Sequence, residues 1–152
     1  MTIKEELQEY ARQCLSGVII SGKKHKWACR RFLEDCKKEE AALSLKEPWP
    51  YIWNEEEANG IVEWFSLLRH SKGDLAGQPI VLTVWQKFNL CQLYGWRERA
   101  TGYKRFRQSF IEVGRKNAKS QMEAGVALYE ISVWSTRNQE NYEYYTAGTK
   151  RD

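Results

Sequence analysis

One nine-residue run constrains this chain more than any other: Glu112-Val113-Gly114-Arg115-Lys116-Asn117-Ala118-Lys119-Ser120. It follows a stretch in which Arg105, Arg107, Ser109 and Ile111 alternate with Phe106, Gln108, Phe110 and Glu112, the two-residue period of a strand. It precedes a small-residue-rich stretch, Gln121 to Val133, that reads as a helix. Strand, tight basic turn and helix in that order is the framework of a phosphate-binding loop. Backbone N–H groups line the turn, a lysine reaches the β- and γ-phosphates, and a hydroxyl at the helix start binds Mg²⁺. The usual spelling is G-x-x-x-x-G-K-[ST]. Here Gly114 sits one place late and Ala118 replaces the glycine before Lys119, so the backbone at Ala118 is expected to avoid left-handed conformations.

Around this loop the charge is uneven. Between Arg97 and Lys119 lie eight cations against two anions, a local net of +6 in a chain whose total is +4. With Tyr103, Phe106 and Phe110 interleaved, the window suits a phosphate-bearing partner, nucleotide or nucleic acid. For Arg97 to Arg107 the ordinary alternative is a solvated face.

The rest of the chain reads as helices. Ile3, Leu7, Tyr10, Ala11 and Cys14 have helical spacing and Ser16-Gly17 stops them. Lys26 to Leu45 repeats the pattern through Trp27, Ala28, Arg31, Phe32, Leu33 and Cys36, and Lys46-Glu47-Pro48-Trp49-Pro50 follows as a candidate linker. Asn54 caps a third helix that runs to His70 with Glu55, Glu56 and Glu57 in its first turn. A Gly-rich segment, 71–79, leads through Ile80-Val81-Leu82 to a fourth helix from Thr83 to Trp96. Tyr142 to Gly148 reads as a second strand.

At 152 residues the chain has room for one ordinary domain. No apolar run approaches the roughly 18 residues that span a bilayer, and charges at the N-terminus argue against a secretory signal, so a cytoplasmic location without membrane contact is expected. Cys14, Cys29, Cys36 and Cys91 form no Cys-x-x-Cys pair, and His25 and His70 are the only histidines. Four reduced cysteines packed as small hydrophobes are expected, with no metal cage and no disulfide scaffold.

The nine-residue run resembles the variant phosphate-binding loop (Walker A) of the large terminase subunit, the DNA-packaging motor of tailed bacteriophages. The resemblance extends through Arg30-Arg31-Phe32 and Asp35, the segment His70 to Pro79, Trp85-Gln86, Tyr94-Gly95-Trp96, Arg105-Phe106-Arg107, and Tyr145 to Asp152. In that family the last loop glycine is itself often alanine. The fold it implies is α/β: a helical N-terminal segment over 1–79, then the start of a P-loop NTPase sheet over 80–152, an incomplete domain.

The resemblance also implies ATP and Mg²⁺ as cofactors. Gln86, Gly114, Arg115, Lys116, Asn117, Ala118, Lys119 and Ser120 would form the ATP site. Lys119 would bind the β- and γ-phosphates, Ser120 would ligate Mg²⁺, Arg115 would contact the γ-phosphate as a catalytic residue beside Lys119, and Gln86 would recognise adenine. Trp85 is assigned to core packing. The parent protein would be an ATPase and endonuclease working in the cytoplasm of a bacterial host on double-stranded DNA. Its partners would be the small terminase subunit and the portal, and it would form a homo-oligomeric ring only at full length.

Downstream of Ser120 no apolar strand ends in the Asp-Glu pair that positions Mg²⁺ and water, and no acidic nuclease domain follows. The chain therefore reads as the front of a larger protein, with negligible turnover expected from it alone. A fragment of another P-loop motor such as a helicase shares the Gln-then-loop order. A non-catalytic nucleic-acid-binding module would use the basic window alone.

Overall fold

The computed structural model describes residues 1–45, 48–71, 73–114 and 116–147. Two compact units divide between Ser109 and Phe110. The resemblance divides the sequence at 79/80, whereas this packing division falls thirty residues later, because the helix from Val84 packs within the first unit.

Helix α1 (Ile3–Ser16) begins with a reciprocal cap: Thr2 Oγ1 accepts from Glu5 N–H and Glu5 Oε2 accepts from Thr2 N–H. It ends at Gly17, whose φ of 88° is the left-handed cap that glycine takes without steric cost. The chain reverses there into α2 (Lys23–Leu45), three residues earlier than the apolar pattern suggests. The buried face of α2 carries Cys29, Phe32, Asp35, Cys36 and Glu39, while Trp27 faces outward with Lys23 over its ring.

The stretch read as a linker feeds a strand inside the same unit. Lys46 and Glu47 lie outside the described residues. From Pro50 the chain enters β1 (Tyr51–Trp53), which pairs antiparallel with β2 (Trp96–Glu98) in the register Tyr51↔Glu98, Ile52↔Arg97, Trp53↔Trp96. Three residues per strand are too few to show a two-residue period, so neither strand was visible in the sequence.

Asn54 Oδ1 accepts from Glu57 N–H and caps α3 (Glu55–Leu67), which stops short of His70. There His70 N–H donates to Gln78 O and Gly77 N–H donates back to His70 O, folding the Gly-rich segment into a closed turn. Helix α4 (Val84–Gly95) packs mainly on α3 and also on α1. Gly95 is required by space: a Cβ there would lie 2.9 Å from the Trp53 ring. Tyr10, Phe32, Trp53, Phe88 and Trp96 form a chain of edge-on or tilted ring contacts, with centroids 5.3–6.4 Å apart, through the core of this unit.

The second unit holds α5 (Lys119–Tyr129), a π-helical turn over Glu130–Trp134, and α6 (Ser135–Asn138). Met122, Tyr129 and Trp134 are its buried side chains. The alternating run 105–113 forms no strand, and Phe110 is 80% exposed. Alternation selects an extended backbone, but a strand exists only where a neighbouring chain supplies ladder hydrogen bonds, and none of the described residues does so here. Residues 142–147 likewise form no strand, and Gly148 lies outside the described residues. The fold is mixed, mostly helical with a two-stranded sheet.

Candidate phosphate-binding site

Helix α5 opens at Lys119 with Ala118 as its N-cap residue, whose methyl side chain makes no cap hydrogen bond. This terminus is the positive end of an eleven-residue helix, a position that favours anions. Met122 N–H donating to Ala118 O over 2.9 Å is the first bond of the helical ladder.

The approach to this terminus is a tight turn of alternating hand. Lys116 has φ 67° and Ala118 has φ 54°, while Asn117 between them lies outside the positive-φ region. Alternating signs of φ turn successive N–H groups toward one side, a concave array suited to an anion. Ala118 thus adopts the left-handed conformation that its side chain was expected to exclude. The cost of about 1–2 kcal/mol is accepted because the turn must reverse within two residues to enter the helix. Asn117 braces the turn, its Nδ2 donating to Gly114 O over 3.0 Å. Residue type and spacing alone do not reveal that contact.

Val113, Gly114, Lys116, Asn117, Ala118, Lys119, Ser120 and Gln121 line an open cavity of about 360 Å³. The side chains of Lys116, Lys119 and Ser120 are exposed beside it. The structure thus brings Gly114, Lys116, Asn117, Ala118, Lys119 and Ser120 together at one helix terminus. Arg115, the residue read as the catalytic arginine, lies outside the described residues.

Gln86 belongs to the first unit, where it is buried in the first turn of α4. Its Oε1 accepts from both the N–H and the hydroxyl of Thr83, each over 2.9 Å. Trp85 beside it is half-buried and lines a groove between α1 and α4 instead of entering the core.

The basic window is not the uniform solvated face its composition suggests. Arg97 is 5% exposed, with Nε donating to Tyr94 O over 2.7 Å and Nη2 lying 3.6 Å from Glu57. Arg105 is paired with Asp35, and Lys104 sits 4.7 Å over the Tyr94 ring. These cations hold the first unit together, and Arg99, Arg107, Lys116 and Lys119 are the exposed ones among the described residues.

The turn thus sets exposed Lys116, Lys119 and Ser120 beside one open cavity at the N-terminus of α5. Residues 84–152 match the family model described as the terminase large subunit, ATPase domain, the family that the loop and Trp85-Gln86 resemble. No curated protein and no solved structure matches the chain. Among the described residues, no helix is long and apolar enough to cross a membrane.

Proposed function

We propose that residues 80–152 are the first part of a P-loop ATPase domain and that the turn 113–120 binds the phosphates of Mg²⁺·ATP. The observation that carries this reading is the alternating-hand turn Lys116-Asn117-Ala118 set at the N-terminus of α5. Lys119, whose side chain is exposed, is assigned to the β- and γ-phosphates. Ser120 offers a hydroxyl to Mg²⁺, which when bound neutralises phosphate charge. The backbone N–H groups of the turn are assigned as donors to the phosphate oxygens. Arg115 is assigned to the γ-phosphate. Gln86 is assigned to adenine through its Nε2 donor, since Thr83 holds its Oε1.

The protein to which this segment belongs is read as the ATP-driven motor that packages viral DNA into procapsids in the cytoplasm of a bacterial host. Double-stranded DNA, the small terminase subunit, the portal and a ring of like subunits are its proposed partners. The alternative of a nucleic-acid-binding module working through the basic window loses support, because Arg97 and Arg105 are engaged within the first unit.

The test is equilibrium binding of Mg²⁺·ATP to the full chain and to Lys119→Ala. Loss of a charge-assisted contact worth about 1.5–3 kcal/mol lowers affinity about 10- to 150-fold. Equal affinity in the two proteins would overturn the assignment. Steady ATP turnover that vanishes in Lys119→Ala would keep the loop but contradict the expectation that this chain turns over negligibly.

A further inference from the structure

Outside the loop, three potential metal ligands converge in the first unit. Cys14 lies in the last turn of α1, and His25 and Cys29 lie one helical turn apart on α2, so they share one face. The reversal at Gly17 folds α1 back against α2 and brings the three together. One ligand atom from each, two Sγ and a ring nitrogen, lies within 4.8 Å of the others. Both cysteines are fully buried and His25 is half-buried. Linear spacing cannot show such a set, because the three residues become neighbours only through the helical hairpin.

The surroundings are polar where the ligands meet and apolar outside. Tyr10 Oη lies 3.0 Å from His25 Nε2. The Phe88 ring closes one side, with its centroid 5.3 Å from those of both Tyr10 and His25.

We infer that Cys14, His25 and Cys29 form a binding site for a thiophilic divalent cation of the Zn²⁺ type, with the Tyr10 hydroxyl or a water as fourth ligand. Two sulfurs and an imidazole are the donor set such ions prefer. Tetrahedral bonds of about 2.1–2.3 Å hold ligand atoms about 3.6 Å apart, so the site closes by a contraction of at most about 1.2 Å, within the reach of side-chain rotation. As two metal–sulfur bonds form, the two thiols release two protons to solvent and the ion keeps its oxidation state. The bound ion would pin the end of α1 to the start of α2.

Titration of the reduced, metal-free full chain with Co²⁺ tests this. Thiolate-to-cobalt charge-transfer absorption should saturate at one ion per chain and disappear on adding one equivalent of Zn²⁺. Native mass spectrometry of the wild-type chain should show a gain of one zinc less two protons. Cys14→Ser and Cys29→Ser should each weaken Co²⁺ binding at least tenfold, and Cys36→Ser and Cys91→Ser should leave it unchanged. Absence of charge-transfer absorption in the folded wild-type chain would overturn the inference, as would absorption that persists in the Cys14→Ser/Cys29→Ser double variant.

Discussion

Arg105 Nη1 donates to Asp35 Oδ2 over 2.7 Å, joining the segment after β2 to the buried face of α2 across seventy residues of sequence. The Asp35 side chain is 2% exposed and that of Arg105 14%. The guanidinium stacks among Tyr51, Phe106, Trp49 and Trp96, with centroid distances of 4.4–5.7 Å. Removing one partner of such a pair leaves the other charge buried and uncompensated. Asp35→Ala is therefore expected to destabilise the first unit by about 3–5 kcal/mol in urea unfolding. Arg105→Lys should recover little of the stacking, because an ammonium lacks the planar face. A midpoint for Asp35→Ala equal to wild type would refute the role assigned to the pair.

Gly95 tests the packing of the sheet against α4. A methyl group there meets the indole of Trp53 at 2.9 Å, and the indole is held by its Nε1 donating to Glu55 Oε2 over 2.7 Å. Gly95→Ala should thus cost about 1–3 kcal/mol despite the higher helix propensity of alanine. Unfolding at higher denaturant than wild type would show that the ring moves freely.

Ala118 makes the opposite prediction. With φ at 54° it carries a strain that glycine would not. Ala118→Gly should keep or raise phosphate affinity, since it restores the residue of the usual loop spelling without changing a donor. A tenfold loss of Mg²⁺·ATP affinity would mean that the left-handed turn is not the binding conformation.

Buried Cys91 sets an alkaline limit on stability. Its thiol is pushed from 9.0 up to about 12 by burial, opposed by Lys87, and Cys91 Sγ points to Ala58 O at 3.5 Å. Below pH 9 the thiol is neutral in both folded and unfolded chains and contributes nothing. Between pH 9 and 12 the unfolded chain loses the proton first, so stability falls as pH rises, by up to about 1.4 kcal/mol per pH unit. Cys91→Ala should be less stable at pH 7 but show a shallower loss between pH 9 and 10.5. Parallel curves for the two proteins would contradict this.

Much of the helical architecture was legible because its signals are local. Thr2, Gly17 and Asn54 act at their own helix ends, and the apolar spacing of Leu7, Ala11 and Cys14 needs only a neighbour to pack against. Where a feature depends on a distant partner, the sequence misled. The alternation from Arg105 to Val113 predicts a strand, but the described residues supply no ladder partner. The charges of Arg97 and Arg105 look solvated until Glu57 and Asp35 are brought beside them. In the loop, Lys119 and Ser120 were readable from residue type and order alone. The left-handed Ala118 and the brace from Asn117 were not, because backbone handedness there is set by the closure of the turn.

The most direct measurement is a titration of the ¹⁵N-labelled full chain with Mg²⁺·ATP, following backbone amides by NMR. The amides of Gly114, Asn117, Ala118, Lys119 and Ser120 should shift together and saturably, with the response lost in Lys119→Ala. Shifts confined to other residues, or none at saturating nucleotide, would contradict the assignment of 113–120 as the phosphate-binding loop.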